Sequence, residues 1–122
     1  KQKKFHLIDS QDAVIGNPAY DLASLIDDVR LKTSNSLKEE MFNHFTKKYL
    51  NKDLKKFEND FLILSVLRNF KILGIFSRLA KRDNKNRYLK YIPYTWSLIK
   101  LRTKNGKVFD ELRFILNNNK FI

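Results

Sequence analysis

Cysteine is absent from the chain, which excludes disulfides and thiolate metal sites and leaves a reducing compartment as the default setting. Long apolar stretches are missing as well. The longest apolar run, Phe61 to Leu64, is far too short to span a bilayer, and the lysine-rich start KQKKFHLID lacks the apolar core of a signal peptide. These absences predict a cytoplasmic protein with no membrane contact. Acidic residues are outnumbered, 13 against 25 Lys and Arg, for a formal net charge of +12. Such a surplus can neutralise phosphates and release their counterions. Here, however, lysine dominates, asparagine is abundant, and the charge is spread along the chain rather than gathered in one arm. A biased composition explains that pattern better than a nucleic-acid interface. The length, 122 residues, allows one domain with a modest core.

What is present is mostly helical periodicity. Lys4 to Asp9 is the exception, a strand with Phe5 and Leu7 on one face, His6 and Ile8 on the other, and an acid at its C-terminal end. From Asp21 onward Leu22, Leu25, Ile26 and Val29 recur at helical steps, with Asp21 placed to cap the helix. A second helix is predicted over about 36–50, capped by Ser34-Asn35-Ser36, with Met41, Phe42, Phe45 and Tyr49 inward. The third and longest runs over about 53–81. Its apolar face includes Leu54, Phe57, Phe61, Leu64, Leu67, Leu73, Phe76 and Leu79, and Asp83-Asn84 ends it. Residues 86–102 read as a helix interrupted at Pro93. Asn105-Gly106 signals a turn before a last amphipathic helix over 108–116.

A lone strand cannot satisfy its amides and carbonyls from within a helical bundle. No other segment has a convincing strand pattern, so the partner strand is expected outside this chain, upstream in a longer protein or on another subunit. The expected fold is mainly α, with one N-terminal strand whose partner is missing.

The stretch LIDSQDAVIGNPAYDLASLIDDVR resembles the metal-binding segment of the aminoglycoside phosphotransferase family, relatives of the protein kinases. There a strand ends in Ile-Asp, a loop with Gly and Pro follows, and Tyr-Asp-Leu-Ala opens a buried helix. The later stretch LRNFKILGIFSRLAKRDNKNRYLKYIPYTW is similar to a narrower branch, bacterial kinases that phosphorylate the anomeric hydroxyl of N-acetylmuramate and N-acetylglucosamine in cell-wall recycling. The resemblance implies that residues 1–122 are the C-terminal helical part of an ATP-dependent, magnesium-requiring amino-sugar kinase. Asp9 would then be the magnesium ligand, in keeping with that ion's preference for one or two protein carboxylates beside nucleotide phosphates. Ser10 stands where the family commonly has an apolar residue. Asp12 is either an outer partner of the metal or a loop cap. Asp21 would open the helix that underpins the active site, with Gly16 and Pro18 shaping the preceding turn and Gly16 free to take positive φ.

Arg68, Lys71, Arg78 and Arg82 fall on one stripe of the long helix. The first three are the candidates for binding sugar or phosphate; the alternative is an ordinary solvated face. Tyr88, Tyr91, Tyr94 and Trp96 have the chemistry to stack on a sugar ring, although such spacing more often marks core.

Phosphoryl transfer also requires a glycine-rich loop with a lysine, and an aspartate for the acceptor hydroxyl. In the family the latter belongs to a His-x-Asp loop shortly before the Ile-Asp strand. With three glycines, the chain holds neither loop, so it is expected to be inactive alone and to need the N-terminal portion of the same protein or a separate subunit. Two other classes remain open. A basic helical module for nucleic acid would bind with steep salt dependence, and a helical interaction module would have a stable partner covering its strand edge and tolerate loss of Asp9.

Overall fold

The computed structural model describes residues 14–49 and 53–119. The predicted strand Lys4–Asp9 lies outside them. The described residues form five α-helices with no strand among them: α1 (Pro18–Ile26), α2 (Asn35–Tyr49), α3 (Leu54–Asp83), α4 (Ile92–Thr103) and α5 (Asp110–Asn118). Two 3₁₀ turns, Asn86–Tyr91 and Lys107–Phe109, lead into α4 and α5. No helix among the described residues is long and apolar enough to cross a membrane.

Helix α3 is the spine, packing against α1, α4 and the first 3₁₀ turn. Its two halves carry separate apolar clusters. Phe57 and Phe61 meet Ala19, Leu22, Ala23 and Ile26 of α1, with Met41, Phe42 and Phe45 of α2 closing over them. Further along, Phe76 joins Val29 and Leu98, with Tyr88 stacked on the Phe76 ring at 5.4 Å between centroids and Tyr91 tilted against it at 5.8 Å. Those tyrosines are therefore half-buried packing residues against the core. Arg113 fastens α5 to the end of α4 by donating to the Thr103 carbonyl at 2.5 Å.

The start of α1 corrects the expectation for Asp21. The cap is Asn17, whose Oδ1 accepts from the Ala19 amide at 3.0 Å, and Pro18 opens the helix where its missing amide costs nothing. Asp21 lies three residues beyond Pro18, past the orphan amides, and is exposed. Gly16 is exposed and not at positive φ; that geometry falls on Gly106, φ 110°, in the predicted Asn105-Gly106 turn. The cap residue also ties α1 to α3, since Asn17 Nδ2 donates to Asp60 at 2.8 Å. Asn17→Ala is expected to lower the unfolding free energy by about 1–2 kcal/mol, measured by urea denaturation; an unchanged midpoint and slope would contradict the cap.

Other boundaries follow the sequence closely. Ser34 Oγ accepts from Leu37 N at 3.2 Å at the start of α2, and Asp53 caps α3 through Lys55 and Lys56. Asn84 ends α3 in the left-handed region at φ 53°, which asparagine tolerates. Pro93 does not interrupt a helix: it sits in the first turn of α4, where no amide is required, and the preceding residues form the 3₁₀ turn instead. Four apolar residues expected inward are not, Leu54 of α3 among them. Leu25 is 65% exposed, Leu67 is 59% exposed and Tyr49 points to solvent.

Candidate functional site

Immediately after α1 the chain buries a carboxylate completely. Asp27 is 0% exposed and is met from three other helices. Arg102 of α4 forks onto it, Nε to Oδ2 and Nη2 to Oδ1, both at 2.8 Å. Ser65 of α3 donates to Oδ2 at 2.6 Å, and Lys38 of α2 reaches Oδ1 at 3.3 Å while donating to the Ile26 carbonyl at 2.7 Å. Arg68 donates to the Asp27 backbone carbonyl at 3.2 Å, so the carbonyls at the end of α1 are satisfied by cations, as its dipole favours. The Arg102 guanidinium also lies 4.9 Å from the Phe61 ring centre.

Burial by itself would push the Asp27 carboxyl up. The Arg102 hydrogen bonds and charge, the Ser65 hydroxyl and the Lys38 ammonium outweigh it, and the group is held below the ordinary value of 3.8. A depressed folded-state value means that this contribution to stability is complete above pH 3.8 and is lost as pH falls through the lower folded value. Acid unfolding followed by circular dichroism is therefore expected to lose part of its pH dependence in Asp27→Asn; an identical profile would contradict the linkage.

The residues singled out by sequence do not converge. Asp9 and Asp12 lie outside the described residues. Gly16 and Pro18 border a cleft of about 510 Å³ with Asn17, Asp53 and Asp60, whereas Asp21 faces solvent. Arg68 is half-buried and engaged with the end of α1, while Lys71 and Arg78 are exposed on the later turns of α3. Arg82 pairs with Asp83 at 2.6 Å. Among the described residues no group of three or more histidines, aspartates or glutamates is placed to hold a metal.

A second cleft, about 490 Å³, opens between α2, α3 and the end of α4. Lys38 and Arg102 border it, so the buried ion pair forms part of its wall.

Comparison with known proteins gives a consistent relationship. The chain is 36% identical over 90 residues to the N-acetylmuramate/N-acetylglucosamine kinase of Caulobacter vibrioides, covering 74% of this chain and 25% of that protein. Proteins of the same name from Pseudomonas aeruginosa and Neisseria meningitidis serogroup B are 32% and 31% identical over 93 residues, in each case 71% of this chain and 28% of the relative. The similarity is to amino-sugar kinases. The chain spans about a quarter of the length of the curated relatives it matches. No family model matches it.

Sequence reasoning passed over Asp27, Lys38 and Arg102, although the signal was there. Each falls on the apolar stripe of its own segment: Asp27 four residues after Ala23, Lys38 three before Met41, Arg102 four after Leu98. A charged residue in a buried stripe is expected to find a partner, and three such residues on three elements imply one another.

Proposed function

We propose that this chain is the C-terminal helical part of an ATP-dependent amino-sugar kinase of the aminoglycoside phosphotransferase type, with a protein-kinase-like fold. The observation that carries this reading is the agreement of relatives, all named N-acetylmuramate/N-acetylglucosamine kinase, over about 70% of the chain. The helical architecture of the described residues is consistent with a C-terminal lobe.

In this reading Asp9 holds magnesium, with Asp12 as a second candidate, and the ion screens the charge of the nucleotide phosphates. The described residues supply no metal cage of their own, so the ion's remaining ligands come from nucleotide and from elsewhere in the intact protein. The chain's own residues act as a scaffold. Asn17 and Pro18 fix how the start of α1 meets α3, through the bond to Asp60. Arg68 stays with α1, and Lys71 and Arg78 offer positive charge to sugar or phosphate on an open face. The glycine-rich loop and the acceptor-orienting aspartate belong to the N-terminal portion or a separate subunit.

The experiment is an assay of ATP-dependent phosphate transfer to N-acetylmuramate and N-acetylglucosamine. Transfer by the intact protein and none by the 122-residue chain alone is the expected result. Transfer by the chain alone, or none by the intact protein, would overturn the reading.

A further inference from the structure

We propose that Asn105 is a site of spontaneous deamidation, converted to aspartate and isoaspartate through a cyclic imide formed with Gly106, and that the isoaspartate loosens the hold of α5 on α4. Between Thr103, the end of α4, and Lys107, the start of the second 3₁₀ turn, lie Lys104, Asn105 and Gly106, all exposed. The Asn105 side-chain amide and the Gly106 backbone amide have no hydrogen bond among the described residues. Both reacting groups are therefore open to water and free of competing partners.

Gly106 supplies the access. Without a Cβ it leaves its own nitrogen unshielded and lets the turn sample conformations in which that nitrogen meets the Asn105 carboxamide carbon. It stands at φ 110°, where side-chain-bearing residues rarely go. Other asparagines are protected. Asn17 precedes Pro18, which has no N–H to attack with, and its Oδ1 is held by the Ala19 amide. Asn69 is buried in the middle of α3. Asn84 precedes Lys85, whose amide is spent on the Leu79 carbonyl at 3.0 Å.

The step needs water alone. The Gly106 nitrogen loses its proton to solvent and bonds to Cγ of Asn105; the bond from Cγ to the side-chain nitrogen breaks, and ammonia leaves. Water then opens the imide. Breaking its bond from nitrogen to Cγ gives aspartate, whereas breaking the bond to the main-chain carbonyl carbon gives isoaspartate, with one extra carbon in the backbone.

That carbon falls at a clamp. Arg113 of α5 donates through its single Nη1 to the Thr103 carbonyl at 2.5 Å and to the Gly106 carbonyl at 3.2 Å, and so straddles residue 105. Lengthening the chain between the two acceptors by about 1.5 Å takes one of them out of reach. Aspartate of normal backbone length leaves both in place.

Incubating the 122-residue chain in mildly alkaline buffer tests the proposal, read by mass-spectrometric peptide mapping and by an isoaspartate-specific methyltransferase. The peptide holding Asn105 is expected to gain the mass difference between an amide and an acid, in two isomeric forms, roughly tenfold faster than any other asparagine peptide. Asn105→Ser is expected to abolish the conversion. Amide hydrogen exchange in α5 is expected to quicken in the aged chain and in Arg113→Ala, and to keep its original rate in Asn105→Asp. Conversion no faster at Asn105 than elsewhere, or an isoaspartate-bearing chain whose α5 exchanges as in the fresh one, would overturn the proposal. No nucleotide, sugar or metal enters the experiment, so its outcome is independent of the phosphotransfer reading.

Discussion

Asp27→Ala is expected to remove about 3–5 kcal/mol from the unfolding free energy, because it leaves buried cations without their counterion. Lys38 is 3% exposed and the Arg102 side chain 14% exposed, so water cannot take over from the lost carboxylate. The Ser65 hydroxyl loses its acceptor at the same stroke. Against the 5–15 kcal/mol typical of a domain, this is enough to unfold a substantial fraction of molecules at physiological temperature. Urea denaturation followed by circular dichroism reads the effect directly. Two further variants separate charge from shape. Asp27→Asn keeps the outline but not the charge and is expected to lose most of the same energy. The triple variant Asp27→Leu, Lys38→Met, Arg102→Met replaces the cluster by apolar volume and is expected to recover much of it, since a buried pair is worth little against a well-packed hydrophobic replacement. A loss below about 1 kcal/mol in Asp27→Ala would mean that the cluster is hydrated in solution and does not hold the helices together.

Much of the fold was legible because local signals and packing agree. Asp53 and Asn84 bracket α3 in the sequence as they do in space, and Ser34 marks the start of α2. Where the reading failed, two signals competed. At α1 the cap was read at Asp21, whereas Pro18 fits the first turn and Asn17 before it takes the cap. At Pro93 the same property was read as a break, although proline in the first turn opens a helix as readily as proline in the middle ends one. Leu25 and Leu67 continued apolar stripes that the neighbouring helices of this chain do not reach. Their exposure is what the proposal expects of a helical lobe separated from the remainder of a kinase. The buried ion cluster was missed because charge in a sequence is ordinarily assigned to solvent, and only the coincidence of three interrupted stripes points inward.

The candidate site was legible only by resemblance. Asp9 and Asp12 carry no local signal beyond acid at the end of a predicted strand and shortly after it, and the described residues neither add ligands nor assemble the proposed stripe into a pocket. The cleft between α2, α3 and α4 could not be read from spacing at all, since its walls come from three helices brought together by the Asp27 cluster.

The second large effect is expected at Asp9. On the proposed kinase reading, Asp9→Ala in the intact protein would withdraw a carboxylate from a magnesium ion that neutralises charge on the transferring phosphoryl group, a contribution of several kcal/mol. At about 1.36 kcal/mol per decade this is roughly a thousandfold in turnover. Thermal unfolding of both proteins separates an effect on the site from an effect on the fold. Asp12→Ala serves as comparison: a modest effect marks an outer partner or a loop cap, and a loss equal to that of Asp9→Ala marks a second ligand. The decisive measurement is the rate of phosphate transfer from ATP to N-acetylmuramate by the intact protein and by its Asp9→Ala variant, with both shown to be folded. A fall of about a thousandfold is the expected result, and turnover within a few-fold of the unsubstituted protein would contradict the account.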